Sequence, residues 1–203
     1  HRVSYLTALG DDTFGRKIRA FLTANHISDE LAFCDPKRMT GFMLKGKTSR
    51  GDPPIQYFRK GSAASALGVE ETSRCLEGRA GGFLHMTGIF PALSEQTLAA
   101  SEAMMRRARE LGMTVTFDPN LRPQLWPDEG TMVRTLNRLA EYADVFLPGA
   151  KEGRILCGKD TPEEIARWYL ARGVKAVVVK TGAQGAYGAT ETEAFAEPTF
   201  RAE

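Results

Sequence analysis

Thr114-Val115-Thr116-Phe117-Asp118-Pro119-Asn120-Leu121-Arg122 begins as a β-branched and aromatic run and breaks into a polar one at Asp118. The first four residues read as a short buried strand, and Pro119, which cannot donate to a sheet ladder, marks its end. An Asp, an Asn and an Arg leaving such a strand would be costly to bury unpaired, so they either line a site or form a satisfied structural network. Runs of the same kind at 83–89, 145–147 and 176–179 read as further strands. Helix-length amphipathic stretches lie between them. Ser94 is a candidate N-cap for a helix through Leu98, Met105 and Ala108 that stops at Gly112, and a second helix spaces Met132, Leu136, Leu139 and Ala143 by four, three and four. Thr161-Pro162-Glu163-Glu164 has the capping-box spacing with proline at the first helical position, ahead of Ile165, Trp168 and Tyr169. Alternating strands and helices predict an α/β fold with a mainly parallel sheet, whose ligands bind beyond the carboxyl ends of the strands.

The strand at 176–179 runs into Lys180-Thr181-Gly182-Ala183-Gln184-Gly185-Ala186-Tyr187-Gly188. Glycines at this spacing bring backbone N–H groups close to a phosphate, and serve equally in a tight turn. Residues 31–60 differ: they hold Lys37, Arg38, Lys45, Lys47, Arg50, Arg59 and Lys60 against Asp35 and Asp52. Such a segment faces an anion or is a solvated lysine-rich face. With Gly46, Gly51, Pro53 and Pro54 between candidate strands at 41–44 and 55–59, it reads as a β-rich appendage. Residues 41–48 also match the phosphate-loop pattern G-x-x-x-x-G-K-[ST] letter for letter. A working loop of that kind opens a helix, whereas Gly51, Pro53 and Pro54 follow here, so the match is accidental. Arg50-Gly51-Asp52, an adhesion-like tripeptide, is read as coincidence too.

Composition excludes several classes. The 203 residues are 42% hydrophobic and 26% charged, in the range of globular proteins, and 27 Lys and Arg against 25 Asp and Glu leave a net charge of +2, too small to indicate a nucleic-acid binder. No apolar run approaches the roughly 20 residues a spanning helix needs, and His1-Arg2 does not begin a signal-peptide layout. Cys34, Cys75 and Cys157 are too few and scattered for a disulfide framework, which predicts a soluble chain in a reducing, cytoplasmic setting. His1, His26 and His85 form no ligand pair, and His85, between Leu84 and Met86, is expected to be a satisfied core histidine.

Four stretches taken in order carry a family resemblance: 10–16 (Gly-Asp-Asp-Thr-Phe-Gly-Arg), 57–65 (Tyr-Phe-Arg-Lys-Gly-Ser-Ala-Ala-Ser), 118–122 with Trp126, and 180–185. Together the chain resembles the ribokinase-like, PfkB-type sugar kinases, and within them the branch acting on sugar acids such as 2-keto-3-deoxygluconate. The resemblance implies an α/β sandwich whose mainly parallel sheet is flanked by helices, with a small β lid at about 38–62. It implies an ATP-dependent kinase that phosphorylates a sugar-acid hydroxyl with Mg2+. Tyr57 and Arg59 resemble the lid-side pair contacting the sugar acid, and Arg122, with Asp118 and Asn120 beside it, resembles a second contact to its carboxylate or hydroxyls. A guanidinium fork suits a carboxylate. Lys180, Gly182 and Gly185 correspond to the turn beside the ATP phosphates, and Glu152 to the acidic end of an N-x-x-E motif that organises magnesium. The partners implied are small molecules, not nucleic acid or membrane, and a homo-oligomer joined through the lid's apolar face.

The sequence departs from the family pattern in places. Gly149 stands where the motif has Asn, Met43 where relatives can carry a substrate-contacting tyrosine, and Asp11 and Asp12 fall in a structural turn. No Gly-Ala-Gly-Asp segment, which carries the family's Asp general base, occurs, and neither does an N-terminal Gly-Gly substrate motif. Residues 1–203 therefore read as one incomplete ribokinase-like domain lacking catalytic competence as written. A kinase for a neutral sugar or nucleoside, and a non-catalytic sugar-binding fragment, are the alternatives.

Overall fold

Strand β1 (Thr7–Gly10) pairs in parallel with β2 (Ala32–Asp35), and helix α1 (Thr13–Ala24) connects them. The computed structural model describes residues 3–49 and 53–200, in two compact units, of which these elements open the first (1–77 with 93–100). Leu9, Leu22 and Ala32 form a small core there, with Ile18 and Ile27 packed against it. Asp12 caps α1 by accepting from the Gly15 amide at 2.8 Å, and the same carboxylate accepts the Thr40 amide at 2.7 Å and its hydroxyl at 2.9 Å. The anticipated turn at 10–16 is therefore a helix cap that also fastens the start of the appendage. That appendage is an antiparallel hairpin of β3 (Phe42–Lys45) and β4 (Ile55–Phe58), with Phe42 and Phe58 stacked at 4.6 Å. After β3 comes no helix, and Gly46 instead donates to the Pro54 carbonyl at 2.8 Å, which rules out the phosphate-loop reading of 41–48. Arg50-Gly51-Asp52 and His1 lie outside the described residues. Helix α2 (Val69–Arg74) and residues 93–100 also belong to this unit.

The second unit (78–92 with 101–203) is built on a six-stranded sheet. Strands β5 (Phe83–Thr87), β6 (Thr114–Asp118), β7 (Val145–Phe146) and β8 (Ala176–Lys180) pair in parallel in that order. Strands β9 (Ala186–Thr190) and β10 (Ala194–Glu197) extend the sheet antiparallel beyond β8. The connections carry α3 (Glu95–Glu110), which belongs to this unit from Ser101 onward, α4 (Glu129–Ala140), α5 (Ala150–Cys157) and α6 (Pro162–Leu170). Ser94 caps α3 as expected, its hydroxyl accepting from the Thr97 amide at 3.1 Å, and Thr161 closes the expected capping box with Glu164. Met132, Leu136 and Leu139 are fully buried along α4, and Val115, Phe117, Phe146, Val177 and Val179 supply the sheet's share of the core. Removing a side chain of this size from water contributes about 2 kcal/mol.

One expectation needs correction. His85 is not in the core: β5 ends the sheet, and His85 is exposed with its Nδ1 2.8 Å from the Thr116 hydroxyl. The sheet is mainly parallel as expected, β5 to β8 all running parallel, and the glycine-containing turn after β8 adds β9 and β10 antiparallel by returning the chain as a hairpin.

Candidate active site

The carboxyl ends of β6, β7 and β8 lie side by side, and three polar loops leave them. From β6 comes 118–122. Asp118 accepts the Asn120 amide at 3.1 Å through Oδ1, an Asx turn, and Asn120 takes a positive φ of 40°. That left-handed conformation costs an L-residue roughly 1–2 kcal/mol, least for Asn and Asp. Pro119 fits because Gly88, just past β5, has no side chain: a Cβ there would stand 2.0 Å from the Pro119 carbonyl oxygen. The Gly88 amide donates to the Asp118 carbonyl at 2.8 Å, and the Asn120 side-chain amide reaches the Thr87 hydroxyl at 3.4 Å. Arg122 is half-buried, its Nη1 donating to the Leu121 carbonyl at 2.7 Å.

From β7 comes α5, which begins at Gly149. Glu152, in its first turn, accepts the Gly149 amide at 2.7 Å through Oε2, a capping box with glycine in the cap position. Its Oε1 accepts the Leu121 amide at 2.8 Å, so one carboxylate holds the α5 start and the loop after β6 together. From β8 comes Lys180, whose amide donates to the Pro148 carbonyl at 2.8 Å and whose Nζ lies 2.8 Å from Asp118 Oδ2. Beyond it the Thr181 amide donates to the Gly185 carbonyl at 2.9 Å, closing a tight turn. Gly185 has φ 100°, and a Cβ there would stand 1.9 Å from the Glu197 carbonyl oxygen, so only glycine serves.

Asp118, Asn120, Arg122, Glu152, Lys180, Gly182 and Gly185 thus all belong to the second unit, and the first five are linked directly or through the Leu121 peptide. Tyr57 and Arg59 belong to the first unit. They sit together at the end of β4, both half-buried, with the Arg59 guanidinium carbon 4.3 Å from the Tyr57 ring centroid. Met43 is the cross-strand partner of Tyr57. The Lys180–Asp118 pair and the reach of Glu152 to Leu121 are additions that residue types alone did not disclose.

Among the described residues no group of three or more His, Cys, Asp and Glu could hold a metal. Glu152 does fit a more open arrangement. Each of its oxygens takes one N–H and keeps another acceptor site. A hydrated magnesium ion, which retains waters and commonly uses one or two carboxylates with substrate phosphates, matches that donor set.

Comparison with known proteins bears on what this geometry serves. The sequence profile of pfkB family carbohydrate kinases matches residues 1–203. The chain is 42% identical over 198 residues to the 2-dehydro-3-deoxygluconokinase of Bacillus subtilis (strain 168), covering 97% of this chain and 61% of that protein. It therefore spans about three fifths of that relative's length. A PfkB protein from Polaromonas sp. JS666 superposes with a TM-score of 0.91 at 44% identity, over 98% of this chain and 67% of that one. An Escherichia coli protein described as a ribokinase II in complex with ATP and Mg2+ superposes with a TM-score of 0.87 at 25% identity, over all of this chain and 64% of that one. The fold is accordingly ribokinase-like.

Proposed function

We propose, from the premise that the chain belongs to the pfkB family of carbohydrate kinases, that the protein carrying it transfers the γ-phosphoryl group of ATP to a hydroxyl of a sugar acid, with 2-keto-3-deoxygluconate the preferred candidate. The observation that carries this reading is the 118–122 loop at the carboxyl end of β6, which holds an arginine beside residues tied to Glu152 of α5 and to Lys180 of β8. The identity to a 2-dehydro-3-deoxygluconokinase supports the substrate, and the ATP and Mg2+ held by a structural relative support the cosubstrates. In the second unit, Arg122 would pair with the carboxylate or hydroxyls, and Asp118 and Asn120 would shape the loop that presents it. In the first unit, Tyr57 and Arg59 are assigned to the sugar acid. Lys180 would exchange Asp118 for an anionic phosphate, and the turn through Gly182 and Gly185 would lie beside the phosphates, where a bare backbone permits close approach.

Glu152 would hold magnesium through its waters, and that ion would neutralise charge on the transferring phosphoryl group. The sequence has no Gly-Ala-Gly-Asp segment, so we assign the general base to none of these residues. Residues 1–203 are read as one incomplete ribokinase-like domain, with 38–62 as its lid. No helix of the described residues is long and apolar enough to cross a membrane, and Cys34, Cys75 and Cys157 are free thiols, which fits a cytoplasmic protein.

The test is ADP release by the natural full-length protein with sugar acids and their neutral analogues. Arg122→Ala should raise KM for the acid at least tenfold, the scale of one lost charge-assisted contact, and alter use of neutral sugars little. Unchanged kinetics on the acid would remove Arg122 from the site, and a preference for the neutral sugar would replace the substrate assignment. Assembly through the lid is supported by the exposure of Met43, Leu44, Ile55 and Phe58 on one small hairpin. Leu44→Lys should then convert a dimer to a monomer by light scattering, and a monomeric wild type would refute it.

A further inference from the structure

Three helices carry a glutamate in the third position of a capping box, and the three are not alike. Glu71 of α2 accepts the Gly68 amide through Oε2. Glu164 of α6 uses Oε2 for the amide and the hydroxyl of Thr161, its own helix cap. Glu152 caps α5 in the same manner, yet its second oxygen takes the Leu121 amide, 31 residues away. The recipient is specific. Leu121 follows the left-handed Asn120, and its carbonyl in turn accepts the Arg122 guanidinium. The Leu121 peptide is thus held on its N–H side by Glu152 and on its C=O side by the side chain it helps to place. Asp118 takes the preceding amide, so two carboxylates hold two consecutive N–H groups of a turn in an uncommon conformation.

We propose that Glu152 is a positioning residue for the arginine loop: by holding the Leu121 amide it keeps residues 118–122 in the turn that aims Arg122, so the start of α5 controls how well an anionic substrate is recognised. The assignment rests on the reading of Arg122 as the contact to a sugar acid. It differs from a magnesium role because it operates without metal and without nucleotide. Glutamine is the discriminating substitution. Its single carbonyl oxygen can serve either Gly149 or Leu121, while its NH2 group faces the other donor.

The experiment uses the full-length protein free of Mg2+ and nucleotide, with amide hydrogen exchange followed by NMR and 2-keto-3-deoxygluconate binding followed by calorimetry. Glu152→Gln should speed exchange at Leu121 about tenfold or more and weaken binding of the acid by a similar factor. Glu164→Gln, which loses only a helix cap, should leave both unchanged. Leu121 exchange and acid binding that stay at wild-type values in Glu152→Gln would overturn the assignment and leave the substrate reading intact. Faster Leu121 exchange in a protein that binds no sugar acid in either form would support the positioning role and remove the substrate reading. If the glutamine variant does not fold, Glu152→Asp, which keeps the charge and loses the reach to Leu121, is read in the same way.

Discussion

Asp12 lies just past β1 and Asp118 ends β6, and each holds a loop together, yet they do it with different partners. Asp12 has two backbone amides and a hydroxyl on its oxygens, all from Gly15 and Thr40. Those donors, the Thr40 and Gly15 amides foremost, keep its carboxyl below the usual carboxylate range against the opposing effect of burial. Asp118 has one backbone amide, and its other oxygen faces the ammonium of a lysine whose side chain is 45% exposed. Fixed donors that cannot leave make a structural hub. A flexible ammonium at the carboxyl end of a strand can exchange its partner, and a loop built on it is suited to meeting a ligand.

The largest effect is expected at Asp12. Asp12→Ala strands the amide of buried Thr40 and uncaps α1, and should cost about 2 kcal/mol or more in urea or thermal denaturation. The pH dependence has a definite sign. The folded-state pKa is depressed, so the stabilisation is fully present above the unfolded carboxylate value near 4 and is lost as pH falls through the lower folded value. The gap between wild type and variant should therefore be widest near neutral pH and narrow in acid. A gap that is constant down to low pH would mean that the carboxylate's charge contributes nothing.

The four parallel strands were legible because their residues are apolar and β-branched, with Val115, Phe117, Val177 and Val179 buried as the pattern implies. Thr7–Gly10 and Ala32–Asp35 escaped because short strands of small or mixed side chains leave no periodic signal, and β9 and β10, in which alanines mix with Tyr187, Phe195 and polar residues, escaped for the same reason. The stretches 118–122 and 180–185 do leave the carboxyl ends of buried strands, as their sequence context implied, whereas Glu152 was marked only by the family resemblance. Their couplings were invisible: Lys180 meets Asp118 across 62 residues, a contact that exists only once β7 is seated between β6 and β8. His85 misled because its apolar neighbours suggested a strand covered on both sides, whereas β5 is an end strand.

The smaller effect is expected at Asp118, where a side chain supplies the second partner. Asp118→Asn keeps an oxygen for the Asn120 amide and removes only the ion pair with Lys180. A half-exposed pair contributes less than about 1 kcal/mol after screening, so the variant should unfold close to wild type, and the small difference should shrink further in high salt. Denaturation at low and high ionic strength measures this directly. A loss as large as that of Asp12→Ala would show that the ammonium is as fixed a partner as an amide, and Lys180 would then be unavailable to a phosphate. A small, salt-sensitive loss leaves Lys180 held loosely enough to change partners, the condition under which a lysine at the head of the 180–185 turn can answer an incoming anion.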